Sequence, residues 1–481
     1  MTSHSLLIGG EWVSALAGET EHVTSPFNGE IVGEVALARP ADAELAIDAA
    51  VRGFEVWRRT PAHARFAILT RAAGLADERA EEMAQLMSRE NGKSLVESRG
   101  EAGRSGDIIR LAAFEGSQLY GESLPLDANR GTGFDKIGFT IRQPVGVVVA
   151  ISPFNYPALL VLHKIAPALA AGNAVVLKPA RATPLTALAV AQCFLDAGLP
   201  AGVLNVITGG GSDIGDALVR DSRVRKISFT GSTVVGEHIA SVAGIKKLSL
   251  ELGASGPVIV MDDADIEAAA ASIALGGYIN AGQVCISTQR VIVSENVVGD
   301  FLDALKPKVE AIRVGDPLAD GINVGSLISR VEADRVMASI AAAVASGARL
   351  VTGGQQDGTV IAPTIVADVD PYSPFAQDEL FGPAVAVSTA RDLAHAIELA
   401  NSTAYGLGAG IFTNNLASSI RAIREIESGV VHVNWTQLWR ADLMPYGGFK
   451  SSGIGKEGPR SAVEEMTEIK TVILHGTPWD N

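Results

Sequence analysis

The chain has 481 residues, 47% of them apolar, and a formal charge of −15. That is enough apolar material for more than one large core. The acidic balance, with no Lys/Arg run longer than two residues, excludes a polyanion-binding surface and so nucleic acid as a partner, while two cysteines exclude a disulfide framework and fit a reducing compartment.

The opening "MTSHSLLIGGEWV" lacks the basic and apolar regions of a secretory signal. No segment reaches about 18 uninterrupted apolar residues, the richest, 158–177, being broken by His163 and Lys164. A cytoplasmic protein with no membrane partner is expected. From Pro40 to Ala113 apolar residues recur at three and four, as in "ADAELAIDAAVRGFEVW", which predicts helices. Residues 118–142 then carry Gly, Pro and Asn breakers around short strand-like runs, an excursion from the main body. An α/β rhythm follows: strand "VGVVVAISP", helix "PALLVLHKIAPALAAG", strand "NAVVLKP", helix "TPLTALAVAQCFLDAGLP", and the glycine-ended strands "VLNVITG" and "VRKISFTG". This alternation predicts βαβ units in a parallel, doubly wound sheet. Past residue 251 the pattern restarts with helix "DIEAAAASIALGGYINAG", strand "QRVIVSE" and helix "FLDALKPKVEAI", running on through "GVVHVNW", as a second α/β domain. The last stretch, "TEIKTVILH", alternates like a strand, and its expected partner is the 118–142 excursion or another subunit.

Two turns in the first half are rich in glycine: Gly209, Gly211 and Gly215 after "VLNVIT", and Gly231, Ser232 and Gly236 after "KISF". A strand feeding a helix through glycines leaves free N–H groups and a positive dipole end where a pyrophosphate can sit, although plain turn chemistry uses the same residues. Lys178 ends a buried strand at the carboxyl edge of the sheet, where nucleotides bind in open α/β folds; solvation is its alternative fate. Arg181 follows it, and no carboxylate is near it in sequence. An arginine in this place suits a ribose 2′-phosphate, and a carboxylate suits a free 2′-hydroxyl.

Cys193 lies in an apolar helix and reads as a core residue. Cys285 differs, because Gly282 and Gln283 precede it at a helix-to-loop corner. A thiol of ordinary pKa, about 8.5, is little ionised at neutral pH yet remains a strong nucleophile.

"ISPFNYP", "LKPA", "FTGSTVVG", "LELG", "GQVC", "DELFGP", the "VN" at 433 and 434, and "MPYGGFKSSGIGKEG" together resemble the NAD(P)-dependent aldehyde dehydrogenase superfamily, in its order and over essentially the whole chain. The resemblance implies an α/β fold of two doubly wound domains: a Rossmann-like cofactor domain (1–117 and 143–252) and a catalytic domain (253–452). It adds a small β ribbon (118–142 and 464–481) through which the family forms dimers or tetramers. It implies that Cys285 attacks the aldehyde as a thiolate, that the Asn155 amide and the Cys285 backbone N–H hold the oxyanion, and that Glu251 activates the water that releases an acid. For the cofactor it places Lys178 near the adenine ribose, Gly231 and Ser232 at the pyrophosphate, and Glu379 with Phe381 around the nicotinamide ribose. The motifs add Ile151, Ser152, Pro153, Phe154, Ala180, Gly211, Phe229 and Leu252 to the cleft. No metal is expected. Two departures stand out. Ala254 and Ser255 follow Gly253 where the family usually has a second glycine and a polar residue. Arg181 replaces the glutamate of NAD-preferring members, which points to NADP, with NAD still open.

By position relative to these motifs, Arg104, His163, Arg440 and Tyr156 fall along the aldehyde tunnel. Three potential cations there predict an anionic tail: a semialdehyde, a lactaldehyde-like aldehyde, or a phosphono- or sulfo-aldehyde. Ordinary fates are open to each, including solvation for Arg104, packing for His163 and an Arg440–Asp442 pair. Arg290 reads as structural. Tyr156, Trp435 and Trp439 keep an aromatic aldehyde as the runner-up. A non-redox thiol esterase or a structural protein on the same fold is the reading from another class.

Overall fold

Strands Val147–Ile151 and Ala174–Lys178 are buried along their whole length, as strands must be when helices cover both faces of a parallel sheet. The computed structural model describes residues 3–131 and 135–476. Residues 132–134 and 477–481, which belong to the segments predicted for the ribbon, and residues 1–2 lie outside the described residues.

Five parallel strands form the heart of the first sheet: Val147–Ile151, Ala174–Lys178, Leu204–Val206, Val224–Thr230 and Lys247–Glu251. In space they run third, second, first, fourth, fifth. The order reverses between the first and the fourth, and that reversal opens a crevice beyond their carboxyl ends. Antiparallel strands Leu6–Ile8 and Glu11–Val13 extend one edge, and Gly453–Ile454 pairs with Leu250 and Glu251 at the other. Period-two alternation divides the strand side chains between two cores. Val148 and Ala150 pack with Leu162, Ile165 and Leu169, while Val147 and Val149 pack with Ala43 and Ile47. The predicted helical stretch forms five helices, from Pro40–Trp57 to Ser105–Ser117.

A second, seven-stranded sheet contains Gly256–Val260, Thr288–Ser294, Ala384–Ala390, Thr364–Ala367, Gly408–Phe412 and Val430–Val433, parallel throughout, with Arg349–Thr352 antiparallel at one edge. It too has a core on each face. The expected α/β class with two doubly wound sheets is therefore the class found. Strand Thr467–His475 pairs antiparallel with Lys136–Pro144, from Thr467 opposite Pro144 to His475 opposite Lys136, and Ser123–Leu124 adds a third strand. Of the two partners expected for "TEIKTVILH", the excursion in the same chain is the one present. Among the described residues no helix is long and apolar enough to cross a membrane.

Candidate active site

The crevice at the strand-order reversal is a cleft of about 1040 Å³. Its walls include Ile151, Ser152, Pro153, Phe154, Lys178, Ala180, Gly211, Phe229, Gly231, Ser232, Leu252, Glu379 and Phe381, so every predicted cofactor residue except Arg181 lines it. Asn155 and Cys285 lie in the same cleft. The first turn of helix Thr233–Val242 faces the cleft, and its Ser232 cap accepts only a long 3.4 Å bond from Val235. A dinucleotide fits these walls. Lys178, buried, hydrogen-bonds only the Pro179 carbonyl, at 3.3 Å, among the described residues, and burial lowers it to about 8. The Ser152 hydroxyl is buried without a partner among the described residues. At the other end Phe381 sits in the left-handed region (φ 50°) and meets Phe154 edge to face with centroids 5.9 Å apart. Glu379 is raised to about 7 by burial against the opposing Ala254 N–H, which it accepts at 2.9 Å. Ala254, one of the two departures, thus ties the loop after Glu251 to the cofactor wall.

Cys285 follows a turn whose three residues Asn280, Ala281 and Gly282 are all left-handed, with φ of 50°, 52° and 71°. Two non-glycine residues in that region are costly, and three hydrogen bonds hold the turn. Asn280 donates its backbone N–H to Glu97 at 2.6 Å and its amide to the Asn155 carbonyl at 3.1 Å, and Gln283 accepts from Ile328 N at 2.9 Å. Gly282 has no substitute, because a Cβ there would come within 2.1 Å of the Gly382 carbonyl oxygen. Asn155 is fixed from below by Lys93, which donates to its carbonyl and to Glu101, each at 2.6 Å. Its amide Nδ2 spends one hydrogen on the Gln283 carbonyl at 2.8 Å, leaving a second for the cleft. Burial pushes the Cys285 thiol up to about 12, the Tyr446 hydroxyl opposing it and Glu251 and Glu379 adding to it. That hydroxyl lies 3.1 Å from Cys285 Sγ.

Glu251 ends its strand buried, and one carboxylate oxygen has no partner among the described residues. Burial, and after it Glu457, raise it well above the usual carboxylate range. Glu457 goes the other way: burial opposes, but Lys164 at 3.0 Å and Arg440 at 3.4 Å hold it at about 2. Burial and neighbouring charges thus push the two carboxylates in opposite directions, the separation that acid–base chemistry needs.

The substrate and cofactor predictions need three corrections. Arg181 is not on the cleft wall, and a carboxylate does stand beside it: Glu21 accepts both arms of its guanidinium at 2.6 to 2.9 Å. Asp442 pairs with Arg104, not with Arg440. His163, buried and 3.7 Å from Asp442, is held below its ordinary value by burial and then by Arg440, so it is uncharged at neutral pH. Of the three predicted cations, Arg440 is the one that shares its charge with Glu457 and keeps an Nε without a partner among the described residues. Among the described residues Arg440 makes polar contacts only to Glu457, at 3.4–3.5 Å, its buried Nε has no partner, and its guanidinium lies 3.9 Å from the centroid of the Tyr446 ring. Tyr156 covers Lys93, whose Nζ is 4.0 Å from its ring centroid. Arg290 donates to the carbonyls of Ser255, Leu399 and Ala400, a structural role. Trp435 and Trp439 are exposed.

Sequence reasoning missed Tyr446, Lys164, Glu457, Lys93 and Glu101. A lysine inside the otherwise apolar helix Leu159–Ala170 was the available signal, since an ammonium buried there requires an anion.

The aldehyde dehydrogenase family profile matches residues 12–472. A 3-sulfolactaldehyde dehydrogenase of Priestia megaterium is 42% identical over 472 residues, 98% of each chain. A phenylacetaldehyde dehydrogenase of Pseudomonas fluorescens is 40% identical over 98% of this chain and 96% of its own. The crystal structure of an NADP-dependent glyceraldehyde-3-phosphate dehydrogenase from Bacillus halodurans, complexed with NADP, superposes with a TM-score of 0.97 at 36% identity, covering 99% of this chain and 100% of that one.

Proposed function

Since the chain belongs to the aldehyde dehydrogenase family, we propose that it oxidises a small aldehyde with an anionic tail to the corresponding acid. A semialdehyde, a lactaldehyde-like aldehyde and a phosphono- or sulfo-aldehyde all satisfy this description. The observation that carries it is Arg440: a mostly buried side chain whose buried Nε has no partner among the described residues, over the ring of the tyrosine whose hydroxyl touches Cys285. A buried unsatisfied donor is costly, and a carboxylate, sulfonate or phosphate a few bonds from the aldehyde carbon would satisfy it. Two relatives act on aldehydes that carry a sulfonate or a phosphate, in agreement. The phenylacetaldehyde relative favours an aromatic substrate instead, but the exposed Trp435 and Trp439 give an aromatic ring little wall.

In this reading the Cys285 sulfur pair forms the bond to carbon while the carbonyl π pair moves onto oxygen. The Asn155 amide and the Cys285 backbone N–H receive that oxygen, each such donor being worth about 3–4 kcal/mol. A bound nicotinamide dinucleotide supplies the hydride acceptor. Glu251 then takes the proton of the water that attacks the acyl group on sulfur. Arg440→Ala is expected to lower kcat/KM for 3-sulfolactaldehyde and succinic semialdehyde by roughly 10- to 100-fold more than for benzaldehyde. Equal losses for charged and uncharged aldehydes would sink the anion site.

For the cofactor, NADP is the proposed preference and NAD the alternative. Arg181 suits a 2′-phosphate but must first leave Glu21. Glu21→Gln is therefore expected to tighten NADP binding by about two- to fivefold, the range of a half-exposed ion pair, and to leave NAD unchanged; Arg181→Glu should do the reverse. Fluorescence titration with each dinucleotide checks both, and an unaltered NADP affinity in both variants contradicts the assignment. The ribbon supports a homodimer or homotetramer: Thr467–His475 pairs along one side only among the described residues and exposes Ile469, Ile473 and Leu474, a strand edge that a second copy would cover. A cytoplasmic location fits the free thiols.

A further inference from the structure

Tyr446 is buried, and a buried phenol needs a hydrogen-bond partner. Among the described residues its hydroxyl has one, the sulfur of Cys285 at 3.1 Å. The ring is not free to swing away. Backbone bonds to Glu457 in both directions, at 3.0 and 2.6 Å, fix the main chain at this residue, and the Arg440 guanidinium lies 3.9 Å from the ring centroid on one face. A phenylalanine would fill the same apolar cluster, formed by Val284, Ile286, Leu407 and Ala254. The oxygen is therefore the only part of this side chain that packing does not explain.

We propose that Tyr446 is a catalytic residue whose hydroxyl donates to the Cys285 thiolate and favours its formation in the free enzyme. The ionisation is simple in its balance: the thiol releases its proton to solvent, the sulfur keeps the electron pair, and the phenol keeps its own proton throughout. The need for such a donor is set by the surroundings. Glu251 at a strand end and Glu379 on the opposite wall both face the sulfur and disfavour its negative charge, while Arg440 favours it from behind the ring. Asn155 spends one amide hydrogen on Gln283 and is reserved for the oxyanion, which leaves the phenol as the donor directed at sulfur. A cation over the ring face withdraws charge from the phenol and strengthens its O–H as a donor. The proposal rests on Cys285 being the nucleophile but not on the anionic tail.

The test is the rate of alkylation of the free, full-length enzyme by iodoacetamide over a pH series, with mass spectrometry locating the label. Cys193 is buried, so Cys285 is the thiol that reacts. Tyr446→Phe is expected to move the midpoint of the profile up by roughly one pH unit, about a tenfold slower reaction at any pH below it, while dinucleotide binding, which reports intact folding, is retained. An unmoved or lowered midpoint in a variant that still binds dinucleotide overturns the proposal. If Tyr446→Phe does not fold, Tyr446→Leu, which likewise removes the donor, takes its place, and a profile as in the wild type overturns it equally. Iodoacetate separates the two readings. Loss of Tyr446 should slow both reagents alike, whereas Arg440→Ala should slow the anionic reagent more than the neutral one; if it does not, the anion site fails and the role of Tyr446 stands.

Discussion

Replacing Cys285 by alanine is expected to abolish aldehyde-dependent reduction of the dinucleotide, lowering kcat by roughly four orders of magnitude or more, while dinucleotide affinity stays as in the wild type. The size follows from the absence of a substitute: the other cysteine is buried in a helix of the first sheet's core, and among the described residues the polar groups aimed at the reacting carbon are donors, not nucleophiles. The unchanged affinity follows from the geometry, since Lys178, Ser232 and Glu379 line the cleft independently of the sulfur. Steady-state absorbance assays with both dinucleotides and a titration of binding decide it. Turnover that survives the substitution would remove the chemistry proposed above, and ester hydrolysis without any dinucleotide reduction in the wild type would favour a thiol esterase.

Glu251→Gln is expected to separate the two halves of the reaction. The first should survive as a burst of about one reduced dinucleotide per site, and the steady rate should fall by roughly 10²- to 10⁴-fold. Burial and the neighbouring Glu457 favour the protonated form of Glu251, which cannot accept another proton. Its base form grows as pH rises through the raised pKa, and the wild-type steady rate should climb with pH over that range while the glutamine variant stays flat. Stopped-flow traces over a pH series measure both. Loss of the burst along with the steady rate would assign Glu251 to the attack on the aldehyde instead of to the release of the acid.

The parts of the fold that were legible in the sequence are those that local physics decides. Val147–Ile151 and Ala174–Lys178 have no polar residue before their last position, so only a strand covered on both faces could hold them. The turn before Cys285 announced itself through Gly282, though not through Asn280 and Ala281, whose left-handed backbone depends on Glu97 and Asn155 far away in the chain. What the sequence hid is pairing. Glu21 reaches Arg181 across 160 positions, and Arg104 reaches Asp442 across 338. Each partner looks like an ordinary surface charge until the chain is folded. For that reason the count of three cations in the tunnel was too high, and the lysine of "LLVLHKIAPALA" had no visible role until Glu457 stood beside it.

The segment that supplies Glu457 runs directly into the ribbon. Within a few residues the chain gives Glu457 to Lys164, Glu465 to Lys226 and the Met466 carbonyl to Asn173, then enters strand Thr467–His475. The ribbon strand is thus continuous with the segment whose Glu457, after burial, raises Glu251. The same short segment therefore ties the Lys164–Glu457 pair and the first sheet to the ribbon strand.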